Sequence, residues 1–342
     1  MSVSAPLVVY LDLNHWYELG EAMAGHPRQA AHVDVLRLLL ESVEQRHVMF
    51  PLSSVHYIEL AENPRDRQRE EAANVMAALS RFNTMAPSSK ILDEELAQAL
   101  NERFGRPAFP VKVPKFGAGV GFAFGRNLHF QLRGGTNEDR EKLEARMGMS
   151  IAELECRANL YAEYELLKQP STELRAQMPD YDPYAARRIA DKGLESFNVM
   201  LRTLRTDPAY AMRSLDLICA RRFLFDFADN YVRAITSAGF TRHRRVPFRD
   251  KEAYTDFLMS LPSQRVAAMI QFHYLKDVHR AWTINDLRDI DALSIAIPYC
   301  NVVVTDKKAW DVTVNRAHLD REFDTAIYCR LADLAAHVQA SV

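Results

Sequence analysis

Two apolar runs far apart in the chain stop on an aspartate. LVVYLD ends at Asp12 and NVVVTD ends at Asp306. A third acidic position, Glu59, lies in SSVHYIELAE just after another apolar run, and NDLRDIDALSIAI adds Asp286, Asp289 and Asp291. Carboxylates gathered in one crevice repel each other. Such a group persists only if it shares protons or binds cations. Oxygen donors without His or Cys suit Mg2+ or Mn2+. Ions of that kind activate an attacking water and stabilise a leaving oxygen, which is the chemistry of phosphodiester hydrolysis. Each acid also has a plainer reading. Asp12 suits a turn, Thr305-Asp306 a helix start, Asp289 and Asp291 a helix cap, and Glu59 a solvated helix face. The order and the strand-end context favour a joint acidic metal site.

The elements that must position these acids read as alternating strands and helices. LVVYLD (7–12) is a short, fully apolar run, as a buried parallel strand requires. A helix begins near His15 and another spans roughly 30–46, where Val33, Leu36, Leu40 and Val43 recur at helical spacing. HVMFPL (47–52) reads as a strand. Ser53 and Ser54 are N-cap candidates for the helix that carries His56 and Glu59, and Pro64 ends it. NDLRDIDALSIAIPYC reads as a turn, a capped helix and a stop at Pro298. NVVVTD and DTAIYC (324–329) read as further strands, and LADLAAHV as a closing helix. Strands alternating with helices imply a three-layer α/β/α parallel sheet. The middle of the chain is mostly helical by periodicity. The expected division is a discontinuous α/β domain, 1–65 plus 281–342, with a helical insertion over 66–280. Within it, about 105–135 is rich in Gly, Pro and aromatic residues and reads as a loop or flap, a candidate lid.

Bulk properties bound the function. The 342 residues are 48% hydrophobic and 26% charged, a soluble globular composition. With 43 basic and 45 acidic residues the net charge is −2, which argues against coating nucleic acid through bulk charge. The four cysteines form no CxxC pair, so a disulfide framework or structural zinc is not expected. His273 and His279 lie six apart, off a common helical face, which also argues against zinc. GAGVGFAFG lacks the full dinucleotide fingerprint. No secretory signal pattern or membrane-length apolar run is present, so a cytoplasmic location is expected.

The acidic pattern resembles the PIN-domain nucleases. LVVYLD is similar to the family's first acidic strand and SSVHYIELAE to its second motif, with Glu59 as the acid. DALSIAI resembles the third, placing Asp291, and VVVTDKKAW the fourth, placing Thr305 and Asp306. The resemblance covers roughly 7–62 and 283–335 and departs from a minimal PIN domain in the long helical stretch between. It implies a Mg2+- or Mn2+-dependent ribonuclease acting on single-stranded RNA, of the kind found in toxin–antitoxin, defence and RNA-processing systems. Catalytic residues would be Asp12, Glu59, Asp291 and Asp306, and Asp289 or Asp286 would be additional metal ligands. Asn14, His15, Thr305 and Lys307 flank these acids and are candidates to contact substrate, with a packed or surface histidine as the plainer reading of His15. The basic run TRHRRVPFR (241–249), with Arg242, Arg244 and Arg245, reads as a solvated inter-helix loop or, together with Arg126 and Arg133, as a candidate groove flank. Phe109, Phe116, Phe122 and Phe124 suit either base stacking or burial beneath the flap. An antitoxin or other protein partner, or a homodimer, is compatible with this reading.

Two other functions fit parts of the pattern. VVYLDLN and TDKKAWD resemble motifs of haloacid dehalogenase-type phosphatases. Asn14 then stands where their second acid belongs, and Glu59 and Asp291 have no role. A silent PIN-like scaffold that binds a protein partner is the non-enzymatic alternative.

Overall fold

β1 (Leu7–Leu11) is an unbroken apolar strand. The computed structural model describes residues 5–134, 136–206, 212–240, 248, 250–277 and 282–341, and places β1 inside a four-stranded parallel sheet. β2 (Val48–Met49), β5 (Val302–Val304) and β6 (Ala326–Tyr328) complete it, in the order β2-β1-β5-β6. β3 (Asn83–Met85) and β4 (Phe116–Ala118) form a separate antiparallel pair.

The strands are apolar on both sides, and both faces of the sheet are covered. Val9, Leu11, Val302 and Val304 join an apolar cluster with the helices Leu13–Met23, Ala31–Glu44, Asp66–Ser80 and Leu331–Ser341. Tyr10, Val303 and Ile327, of opposite parity, join a second cluster with the helices Pro262–Lys276 and Ile284–Tyr299. The helix Asp66–Ser80 therefore packs into the same core as β1. It approaches closely at Gly20, where a Cβ would meet the Glu71 carbonyl oxygen at 2.8 Å. Among the described residues no helix is long and apolar enough to cross a membrane.

Register brings the ends of β1 and β5 level. Leu11 pairs with Val304, and the Asp12 N–H donates to the Val304 carbonyl at 2.9 Å. From β1 the order runs to β2 on one side and to β5 on the other. In α/β sheets a crevice opens outside the strand carboxyl ends at such a switch point.

Several elements differ from the sequence expectation. The expected strand over 47–52 is regular only at Val48–Met49. Pro51 has no N–H to extend a ladder, and Leu52 instead bridges to Thr84 of β3. The expected turn before Asp289 is helical. Thr283 and Asp286 close a capping box, so the helix starts at Ile284, and Pro298 lies inside it. The segment expected as a flap contains β4 and a helical turn, Gly119–Ala123, docked against β3.

Candidate active site

Asp12 follows β1 directly and occupies the N-cap position of the helix Leu13–Met23, yet it makes no side-chain capping bond. Its carboxylate is free to face the crevice, where Asn14 Nδ2 donates to Oδ2 at 3.1 Å. The residues around it hold the strand end in place. Trp16 Nε1 donates to the Leu11 carbonyl at 3.1 Å. His56 Nδ1 accepts the Ser53 N–H at 3.0 Å, which leaves Nε2 to donate to the same Leu11 carbonyl at 2.9 Å. His56 also stacks on Tyr10. Burial lowers its pKa to about 4, so the ring is a neutral pin between β1 and the Glu59 helix.

Asp306 follows β5 and caps the helix Lys307–Trp310, Oδ1 accepting from the Lys308 and Ala309 N–H groups at 2.7 Å. Glu59 comes from the helix Ser54–Glu62, and Asp289 from the helix Ile284–Tyr299. These four acids and Glu62 line one cleft of about 340 Å³, together with Asn14, Tyr17, Asn63, Asn285 and Arg288. Arg288 bonds Glu62 with both terminal nitrogens, one of them at 3.0 Å to Oε2, and stands 4.0 Å from Glu59 Oε1.

The acids feel one another. Burial raises Glu59 to about 7, with Asp12 adding to the rise, Arg288 opposing it and Glu62 adding again. Burial raises Asp289 to about 8, reinforced by Asp12, Asp306, Glu59 and Asp286. Asp12 is also raised, by burial first, against the pull of His15 and with a push from Asp306. Among the described residues no three His, Cys, Asp or Glu side chains form a ready-made cation site. The acids thus share a cleft and a field. Their donor set is all oxygen, with no His or Cys among the lining residues, the donor type that Mg2+ and Mn2+ prefer.

The sequence expectation needs correction at several residues. Asp291 stands outside the cluster. Two positions on from Asp289 is more than half a helical turn, so Asp291 faces away. Burial raises its pKa, and its partners are Ser88 and Arg222. Asp286 is the capping-box acid of its helix, accepting from the Thr283 N–H and hydroxyl, with Lys308 Nζ at 3.6 Å. It borders the cluster without lining the cleft. His15 is buried between Glu18 Oε2 at 3.0 Å and the Thr305 carbonyl at 3.2 Å, so it braces the site from behind. Thr305 is buried as well, its N–H donating to the Tyr328 carbonyl. Lys307 is exposed beside Asp306 without lining the cleft. Arg242, Arg244 and Arg245 lie outside the described residues.

Sequence reasoning missed Tyr17, Glu62, Asn63, Asn285 and Arg288. The spacing held a signal for Glu62, which lies three residues after Glu59 on the same helical face. By the same rule Asn285 neighbours both Arg288, three residues on, and Asp289, four residues on, once the helix is begun at Ile284.

Stability should carry the mark of this cluster. The ordinary values of Glu59 and Asp289 are 4.5 and 3.8, and both are raised on folding. The folded chain then holds more protons than the unfolded one between about pH 4 and pH 8, so these groups lose stability as pH rises through that range. His56 acts oppositely but only below 6.5, because its folded pKa is depressed. His15 acts in the same direction as the acids, since its bonds to Glu18 and Thr305 outweigh burial and raise it. In chelator, urea stability is expected to fall between pH 6.5 and pH 8, by about 1 kcal/mol from Glu59, most of whose shift is expressed at lower pH, and by more from Asp289. The Asp289→Asn variant should show a shallower fall, and saturating Mn2+ should cancel it. A flat profile in chelator, identical in Asp289→Asn, would separate these acids from a common cluster.

Comparison of the chain with protein-family models, with curated proteins and with solved structures gives no match.

Proposed function

We propose that the protein is a metal-dependent endoribonuclease that cuts single-stranded RNA from a PIN-like three-layer α/β/α scaffold. The observation that supports it is the delivery of Asp12, Asp306, Glu59 and Asp289 into one cleft at the switch point between β1 and β5. Asp12, Asp289 and Asp306 would hold Mg2+ or Mn2+, which supplies an activated water and charge stabilisation at the leaving oxygen. Glu59, with a pKa near 7, can accept or return a proton at neutral pH. Arg288 sets a guanidinium at the cleft wall, where it can bond a phosphate oxygen. Asn14 orients the Asp12 carboxylate.

The phosphatase reading has less support. Asn14 is committed as a donor to Asp12 and offers no acid–base function at the second position. The deciding experiment incubates the protein with end-labelled single-stranded RNA and with a small phosphomonoester, each in Mn2+ or chelator. Internal RNA cleavage in Mn2+ alone is the expected result. Turnover of the phosphomonoester without RNA cleavage would overturn the proposal.

A further inference from the structure

A second pocket, of about 270 Å³, lies beside the acidic cleft and has the opposite character. Its walls include Tyr57, Ala61, Phe124, Leu166, Tyr181 and Ala186. The rings of Tyr57 and Phe124 meet edge to face at 6.2 Å, and Phe124 is 40% exposed. Tyr181 donates its hydroxyl to Gln169 Oε1 at 2.7 Å and carries the Arg175 guanidinium 5.2 Å from its ring centre.

One wall group is unsatisfied. Tyr57 is 3% exposed, and its hydroxyl is buried with no hydrogen-bond partner among the described residues. A buried unpaired hydroxyl is costly, and a ligand that completes its bonding removes that cost. The pocket therefore suits a flat, apolar-faced group with a polar edge.

The two clefts meet at two consecutive residue pairs. Ala61 lines the apolar pocket and its neighbour Glu62 lines the acidic cleft. Ala186 lines the apolar pocket, and its neighbour Arg187 places Nη1 3.9 Å from Glu62 Oε2 while staying half-exposed. A cation thus stands at the seam between an acidic cleft and an aromatic pocket.

We infer that the aromatic pocket is a nucleobase subsite for single-stranded RNA, in which a base near the scissile phosphate stacks on Phe124 and Tyr181 and bonds the Tyr57 hydroxyl. The linking phosphate passes Arg187 at the seam. Aromatic faces accept any base, so the subsite fixes the strand without demanding a sequence. The inference rests on the endoribonuclease reading of the neighbouring cleft.

The test uses fluorescence anisotropy on the full chain carrying Asp12→Asn, in Mn2+, so that RNA is held uncut. The probes are a single-stranded RNA hexamer and the same hexamer made abasic throughout. The parent is expected to bind the intact hexamer about tenfold more tightly than the abasic one. Adding Ala186→Trp, which fills the pocket, should erase that difference. Adding Tyr57→Phe should weaken intact-hexamer binding about threefold while thermal stability stays level or rises, which excludes a folding defect. Equal binding of the intact hexamer by the parent and both variants overturns the subsite, as does equal binding of both probes by the parent; a protein segment would then be the better occupant. Mn2+-dependent cleavage by the wild type is scored separately. Cleavage with no effect of Ala186→Trp on binding defeats the subsite alone. A binding loss in Ala186→Trp without cleavage by the wild type defeats the nuclease reading alone.

Discussion

Replacing Asp12 by Asn is expected to slow Mn2+-dependent cleavage of single-stranded RNA by about a thousandfold or more, equivalent to about 4 kcal/mol of transition-state stabilisation. The same substitution should not harm the fold. It removes one charge from a cluster in which Asp12 raises both Glu59 and Asp289, so the melting temperature in chelator should hold or rise. Asp306→Asn should behave alike, because Asn is as good an N-cap as Asp and can keep the Lys308 and Ala309 bonds. Asp291→Asn is the control. Its side chain faces Ser88 and Arg222, so any loss of activity should track a loss of stability. Cleavage rates and melting curves for the three variants decide the matter. Full activity in Asp12→Asn would remove the metal site from the β1 end.

Removing the cation of the cleft should have the largest effect on stability. Glu62 and Arg288 are both largely buried, with side-chain exposures of 8% and 12%, and they bond through both carboxylate oxygens. Arg288→Met leaves the Glu62 carboxylate buried without its main partner, a loss of about 3–5 kcal/mol. It also removes a charge that draws Glu59 downward. Adding Glu62→Gln removes the stranded charge and should recover most of the loss. Urea titrations of the two single variants and the double variant at pH 7.5 measure this coupling. A loss below 1 kcal/mol in Arg288→Met, with no recovery in the double variant, would show that the pair is not coupled.

Parts of the site were legible because they depend on local rules. Apolar runs that stop on an acid mark strand ends, and parallel pairing does the rest for Asp12 and Asp306. The error at Asp291 was one of phase. A helix whose start is misplaced turns the wrong residues inward, and the sequence TIND held the cue that fixes the start, a capping box between Thr283 and Asp286. For His15 the sequence leaves two readings, because whether a histidine braces a backbone or meets a ligand depends on what packs behind it. That partner, the Thr305 carbonyl, is 290 residues away. The Glu62–Arg288 pair is equally remote in sequence, 226 residues apart, so no periodicity could have joined them. The shortened β2 was readable from Pro51, which cannot donate to a ladder.

The pairing of β1 with β5 has a consequence for the life of the chain. Val8 donates to Asn301 Oδ1 at 2.8 Å across 293 residues. At ribosomal speeds of about 5–20 residues per second, the first half of the site waits roughly 15 to 60 s for the second to be synthesised. Until then Asp12 and Glu59 have neither Asp289 nor Asp306 opposite them, and β1 has β2 but lacks β5. A nascent chain is held within reach of its own message and of the ribosome's RNA. If the completed fold cuts RNA, the topology itself delays that activity until Asp289, β5 and Asp306 have emerged.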